Sequence, residues 1–76
     1  MNAERRKALA KIAGQISDLR GELETLKDEE QEAFDNMPEG LQQGERGEQS
    51  QAAVDALDSA VQNMEEVESY LDEAQN

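Results

Sequence analysis

The sequence predicts an all-α protein: an antiparallel, coiled-coil-like two-helix hairpin that dimerises into a four-helix bundle. Three observations carry this. Apolar residues recur at alternating steps of three and four through two long segments, the spacing of one helix packing along another. The only Pro and three of the five Gly fall together at residues 36–47, where neither helix can continue. The chain has 76 residues, 36% of them hydrophobic, with one Phe and one Tyr. That suffices for a single small domain with a thin aliphatic core, and excludes an interior built on aromatic rings.

The first long helix is expected over residues 3–37. Its seam runs Leu9, Ile12, Ile16, Leu19, Leu23 and Leu26, then Glu30, Ala33 and Met37. Pro38 disfavours helical backbone in the residue before it, which stops the helix at or before Met37. The tip, residues 38–46, has room for one helical turn over Pro38–Gln42, with Leu41 as an apolar plug. The second long helix is expected over residues 47–75, starting between Gly44 and Glu48. Its seam is smaller and Ala-rich: Ser50, Ala53, Leu57, Ala60, Met64, Val67, Leu71 and Ala74.

A link this short folds the second helix back antiparallel to the first. Facing residues whose numbers sum to 83 make apolar layers, among them Leu19 with Met64, Leu23 with Ala60 and Leu26 with Leu57. The same register sets the basic start (Arg5, Arg6, Lys7, Lys11) beside the acidic end of the chain. Beside the seam lie Ala8, Ala13, Val54, Ala56 and Val61, which a lone hairpin leaves partly wet; they are the expected homodimer contact. The alternative is that the two valines only widen the core stripe. Gly14 and Gly21, with Ala10 and Ser17, form a small-residue stripe opposite the seam. Glu30 is the polar interruption, opposite Ala53. Either its stem carries the carboxylate to water at a tapering tip, or it fixes the register through Arg46.

The chain has no Cys and no His, which removes disulfides, thiol nucleophiles, imidazole bases and most zinc sites. Asp28, Glu30, Glu32 and Glu39 match positions 1, 3, 5 and 12 of a calcium loop. However, Ala33 stands where that loop turns on Gly, and carboxylates two apart on a helix point to different faces. No enzyme activity, cofactor or metal is therefore expected. No stretch approaches the ~20 apolar residues of a membrane span, and Met1–Lys7 lacks a signal-like apolar run, so the expected location is cytoplasmic.

Charge is the main functional clue. Seven basic and nineteen acidic side chains give a net charge of −12, and by count it falls as −3 over residues 1–38 and −9 over residues 39–76. Asp58, Glu65 and Asp72 recur every seven residues on the outer face of the second helix, with Asp55, Glu66 and Glu73 beside them. Such a surface repels nucleic-acid phosphates and anionic lipid and attracts basic protein surfaces, including those that bind DNA.

The tip reads Glu32-Ala33-Phe34-Asp35-Asn36-Met37-Pro38-Glu39-Gly40-Leu41-Gln42, followed by Glu45-Arg46-Gly47-Glu48 and an Ala/Leu/Asp/Glu-rich helix. It resembles that of a group of small acidic two-helix proteins encoded by tailed phages and prophages. The resemblance implies a phage setting, in which small acidic proteins bind and disable host machinery such as restriction or CRISPR components. The expected partner is then a host protein with a basic surface. The competing expectation is a scaffolding hairpin that only oligomerises, with its acidity serving solubility.

Overall fold

Asn2 opens the first helix by accepting the Arg5 backbone N–H on its side-chain oxygen at 2.9 Å, which satisfies one of the orphan donors of the first turn. The computed structural model describes all 76 residues. It carries α1 over Ala3–Asp35, the single turn α2 over Glu39–Gln42, and α3 over Glu45–Gln75, with α1 and α3 packed side by side. The hairpin measures 58 × 14 × 12 Å, and its radius of gyration is 17.2 Å, against about 11 Å for a compact chain of this length. The molecule is a rod two helices thick, so each long helix has one neighbour and most of its circumference is in solvent.

Both helix ends at the tip fall within the expected limits, two residues before the nominal bounds at 37 and 47. α1 stops at Asp35, and the backbone N–H of its cap, Asn36, reaches the Glu32 and Phe34 carbonyls. α3 starts at Glu45 behind Gly44. The turn over residues 39–42 forms as expected, but Leu41 does not plug the tip, since it stays 43% exposed. Closure comes instead from Gln42 and Gly47. The Gln42 side-chain amide donates to the carbonyls of Phe34 at 3.0 Å and Asp35 at 3.4 Å, adding a second donor to the Phe34 carbonyl and covering that of Asp35 at the end of α1. Gly47 is buried with the Gln42 backbone directly against it, and a Cβ there would overlap the Gln42 carbonyl. No residue in the chain adopts positive φ, so this glycine is needed for space rather than for an unusual backbone conformation.

The observed seam is not the one the apolar pattern predicts. The α1 residues turned inward are Leu9, Ala13, Ile16, Arg20, Leu23, Lys27, Glu30 and Phe34, and those of α3 are Gly47, Ser50, Val54, Leu57, Val61, Met64, Glu68 and Leu71. One position in each heptad agrees with the expectation. The other moves by one residue: 12 to 13, 19 to 20 and 26 to 27 in α1; 53 to 54, 60 to 61 and 67 to 68 in α3. At about 100° per residue, each helix is turned by roughly 50° from the orientation that the apolar stripe favours. Val54 and Val61, expected on the dimer flank, are the buried hydrophobic core at 8% and 5% exposure. Ile12, Leu19, Leu26 and Val67, expected in the core, keep 43–52% of their surface in solvent.

A physical reason for the turn is visible in the polar residues it brings in. Turned this way, Arg20 and Lys27 lie along the edge of the seam, where their aliphatic stems cover apolar surface and their charged ends reach acids of α3. In the expected orientation both would have flanked the seam, with less of their stems laid over it.

Glycine replacements should therefore act with opposite signs. Gly47→Ala should destabilise the hairpin through collision with the Gln42 backbone. Gly14→Ala and Gly21→Ala, where nothing lies within 4 Å of an added Cβ, should each stabilise it by about 0.8–1 kcal/mol through helix propensity. Thermal unfolding followed by circular dichroism tests this, and a stabilised Gly47→Ala variant would contradict the tip geometry.

Candidate functional site

Four salt bridges decorate the hairpin, and all involve Arg20 or Lys27. Arg20 reaches Glu24 at 3.2 Å on its own helix, and Glu68 at 3.1 Å and Glu65 at 3.8 Å across the seam; Lys27 reaches Asp58 at 3.2 Å. The Arg20 Nε–H lies within hydrogen-bond distance of both oxygens of Glu68. That hydrogen bond, with the negative charges of Glu68 and Glu24, raises the Arg20 pKa above its ordinary value against a smaller opposing effect of desolvation. A raised basic pKa gives stability that is fully present below the ordinary arginine range and is lost only as pH rises through the raised value.

The cross-helix contacts fix the register. They join 20 to 65 and 68, 27 to 58, and 30 to 50, bracketing the expected sum of 83. Glu30 is half-buried and does not pair with Arg46. Its Oε1 accepts the hydroxyl of Ser50 at 2.7 Å, and Ser50 is only 4% exposed. A short hydroxyl–carboxylate bond in a sheltered seam is of the stronger, charge-assisted kind. It serves as a register pin near the tip, a role the sequence places at Glu30 but with the wrong partner.

The acidic residues of α3 divide into two groups. Asp58 and Glu65, expected on an outward strip, turn toward α1 and are taken up by Lys27 and Arg20. Asp55, Glu66, Asp72 and Glu73 are exposed and make no salt bridge; Glu66 has only a 3.5 Å contact with the Tyr70 hydroxyl on the next turn. The basic start of α1, expected to pair with these acids, makes no salt bridge either.

Of the expected dimer flank, Val54 and Val61 are internal and Ala13 is half-buried in the seam, while Ala8 and Ala56 are exposed. The exposed apolar surface lies elsewhere. Ile12, Leu19 and Leu26 are seven apart and share one stripe of α1. In an antiparallel pair, the stripe of α3 on the same side contains Ala53, Ala60, Val67 and Ala74. The salt bridges occupy the opposite side. The hairpin is two-faced, with ion pairs on one side and aliphatic residues on the other, and a shallow open depression on the aliphatic side is lined by Glu22, Thr25 and Leu26.

Asp28, Glu30 and Glu32 lie in helical backbone and Glu39 in the separate turn α2, and no three acidic side chains converge as a group able to hold a metal ion. No helix is long and apolar enough to cross a membrane. Searches for a matching protein family, a similar curated protein and a similar solved structure give none.

Ser50→Ala should cost about 1–2 kcal/mol by removing the one bond that satisfies the sheltered Glu30 oxygen, and Glu30→Gln should recover part of that cost in the double variant. Additive losses in chemical denaturation would show that the pair is uncoupled. Arg20→Met should cost little stability, and less in high salt, because the bridges it makes are near the surface.

Proposed function

We propose that this hairpin acts by protein binding, as a dimer forming a four-helix bundle, and that the free acidic edge of α3 docks a basic surface on its partner. The observation that carries the reading is the separation of the acids into those used internally and those left without basic partners, Asp55, Glu66, Asp72 and Glu73. α1 and α3 carry nine acids each, but α1 offsets them with six bases and α3 with one, so the uncompensated charge lies on α3. The phage resemblance of the tip supports a host protein as that partner, with restriction and CRISPR components, whose surfaces bind nucleic acid, as the class of target and inhibition as the outcome.

Charge density bears on how such a target would be occupied. α3 has nine acids and one base over 31 residues, which is one net charge per roughly 6 Å at ~1.5 Å rise per residue. A DNA duplex carries one per ~1.7 Å. A single α3 is thus a weak imitation of a duplex, and mimicry of that kind calls for two such helices side by side.

Reversing Asp55, Glu66, Asp72 and Glu73 to Lys should abolish capture of the host partner while leaving helicity nearly unchanged, since exposed substitutions usually move stability by no more than ~0.5 kcal/mol. Wild-type binding should weaken steeply with added salt. Pull-down from bacterial lysate, repeated with purified partner at two ionic strengths, is the measurement. Binding that survives the four reversals would reject acidic docking.

A further inference from the structure

We infer that the aliphatic face of the hairpin, centred on Leu19, is the dimer interface, and that the second copy lies on it tip-to-base, with its α1 antiparallel along the first α1. The inference rests on the dimeric reading above and names its surface and orientation.

The α3 half of the face has the composition of a buried surface, while the α1 half carries Glu22 at its rim. In a chain that is 34% charged, the α3 half of the face between residues 49 and 74 has no charged residue. Ala53, Ala60 and Val67 run along its centre, and Asn63 and Tyr70 lie on its rim. All the acids of α3 from Asp55 onward are on its other sides. The α1 half presents Ile12, Leu19 and Leu26, which are large aliphatics left 43–52% exposed, while the hairpin's own seam contains Arg20, Lys27, Glu30 and Glu68. A monomer would thus keep charges in its seam while three large aliphatic side chains stay about half in water. From Leu9 to Ala33 the face is about 36 Å long and two helices, ~20 Å, wide. That is on the order of 700 Å² per copy, and both copies together fall inside the ~1,200–2,000 Å² of stable interfaces.

Charge selects the occupant and its direction. α1 is polarised: by count, residues 1–17 carry +3 and residues 18–38 carry −6. The tip of the hairpin, residues 28–48, carries −7. Two copies side by side with tips together would set these strongest negative ends against each other. Placed tip-to-base about a two-fold axis near Leu19, Leu19 meets its own copy and Ile12 meets Leu26. The unpaired Arg5 and Lys11 then approach Glu29 and Glu32 of the second copy. The small residues of α3 match about nearly the same axis, Ala60 with Val67 and Ala53 with Ala74. This arrangement also brings the two α3 helices together on one side of the bundle, doubling the acidic charge along a single edge to about one per 3 Å.

The test uses the full chain, which contains no cysteine. Sedimentation should give a dimer that tightens as salt is added, because each copy carries −12 and apolar contact must overcome that repulsion. Salt should thus act here in the opposite direction to its effect on acidic docking. Leu19→Glu should weaken the dimer by about 100-fold or more with helicity retained, whereas Val54→Glu should unfold the hairpin. Under oxidation, Leu19→Cys should form a covalent dimer through its own copy, and an Ile12→Cys and Leu26→Cys mixture should form the mixed disulfide. A monomeric wild type overturns both this inference and the dimeric reading. A dimer untouched by Leu19→Glu overturns the face alone. A dimer that Leu19→Glu dissociates but whose Leu19→Cys variant does not cross-link overturns the tip-to-base orientation.

Discussion

The structure depends on one strip of contact, a single residue-pair wide, along which α1 and α3 touch. A hairpin of two rods has no third element to seal its seam, so most seam positions stay partly open. Only Val54 and Val61 among the hydrophobic residues are buried. Under that constraint, apolar burial alone cannot decide how each helix is turned, because almost any orientation leaves one edge of the aliphatic surface wet. The decision passes to polar contacts able to bridge the open edge.

Those contacts are few and specific. Arg20 spans to Glu65 and Glu68, Lys27 to Asp58, and Ser50 to Glu30. Each is modest at a partly exposed site, but together they fix both the register and the rotation of α1 against α3. The long stems of Arg20 and Lys27 do part of the covering that a leucine would do in a wider bundle. Using them internally leaves Ile12, Leu19 and Leu26 on the opposite side, and it pairs Asp58 and Glu65 with bases while both stay about half exposed. One choice of rotation thus sets both surfaces offered to other molecules.

The tip is decided by space. Pro38 and the run of glycines forbid a continuous helix, but the closeness of the turn comes from the missing side chain at Gly47 and from the Gln42 amide capping the end of α1. The hydrophobic plug suggested by Leu41 is unnecessary once the backbone packs this tightly.

The sequence by itself determined the helices, the break between them, the antiparallel direction and a register close to the observed one, because these follow from residue spacing, proline geometry and link length, all local along the chain. It also marked Glu30 as a special position. What only the tertiary structure decided is which side of each helix meets the other. Leu19 and Arg20 are neighbours in sequence, and periodicity assigns the seam to the leucine since it counts apolar residues and nothing else. The folded hairpin assigns it to the arginine, whose reach to Glu65 and Glu68 exists only when α3 is in place, and for the same reason Val54 and Val61 belong to the core and not to the flank. A repeat of apolar residues records that a surface is to be covered; whether the cover is the chain's own second helix or another molecule depends on the long-range ion pairs.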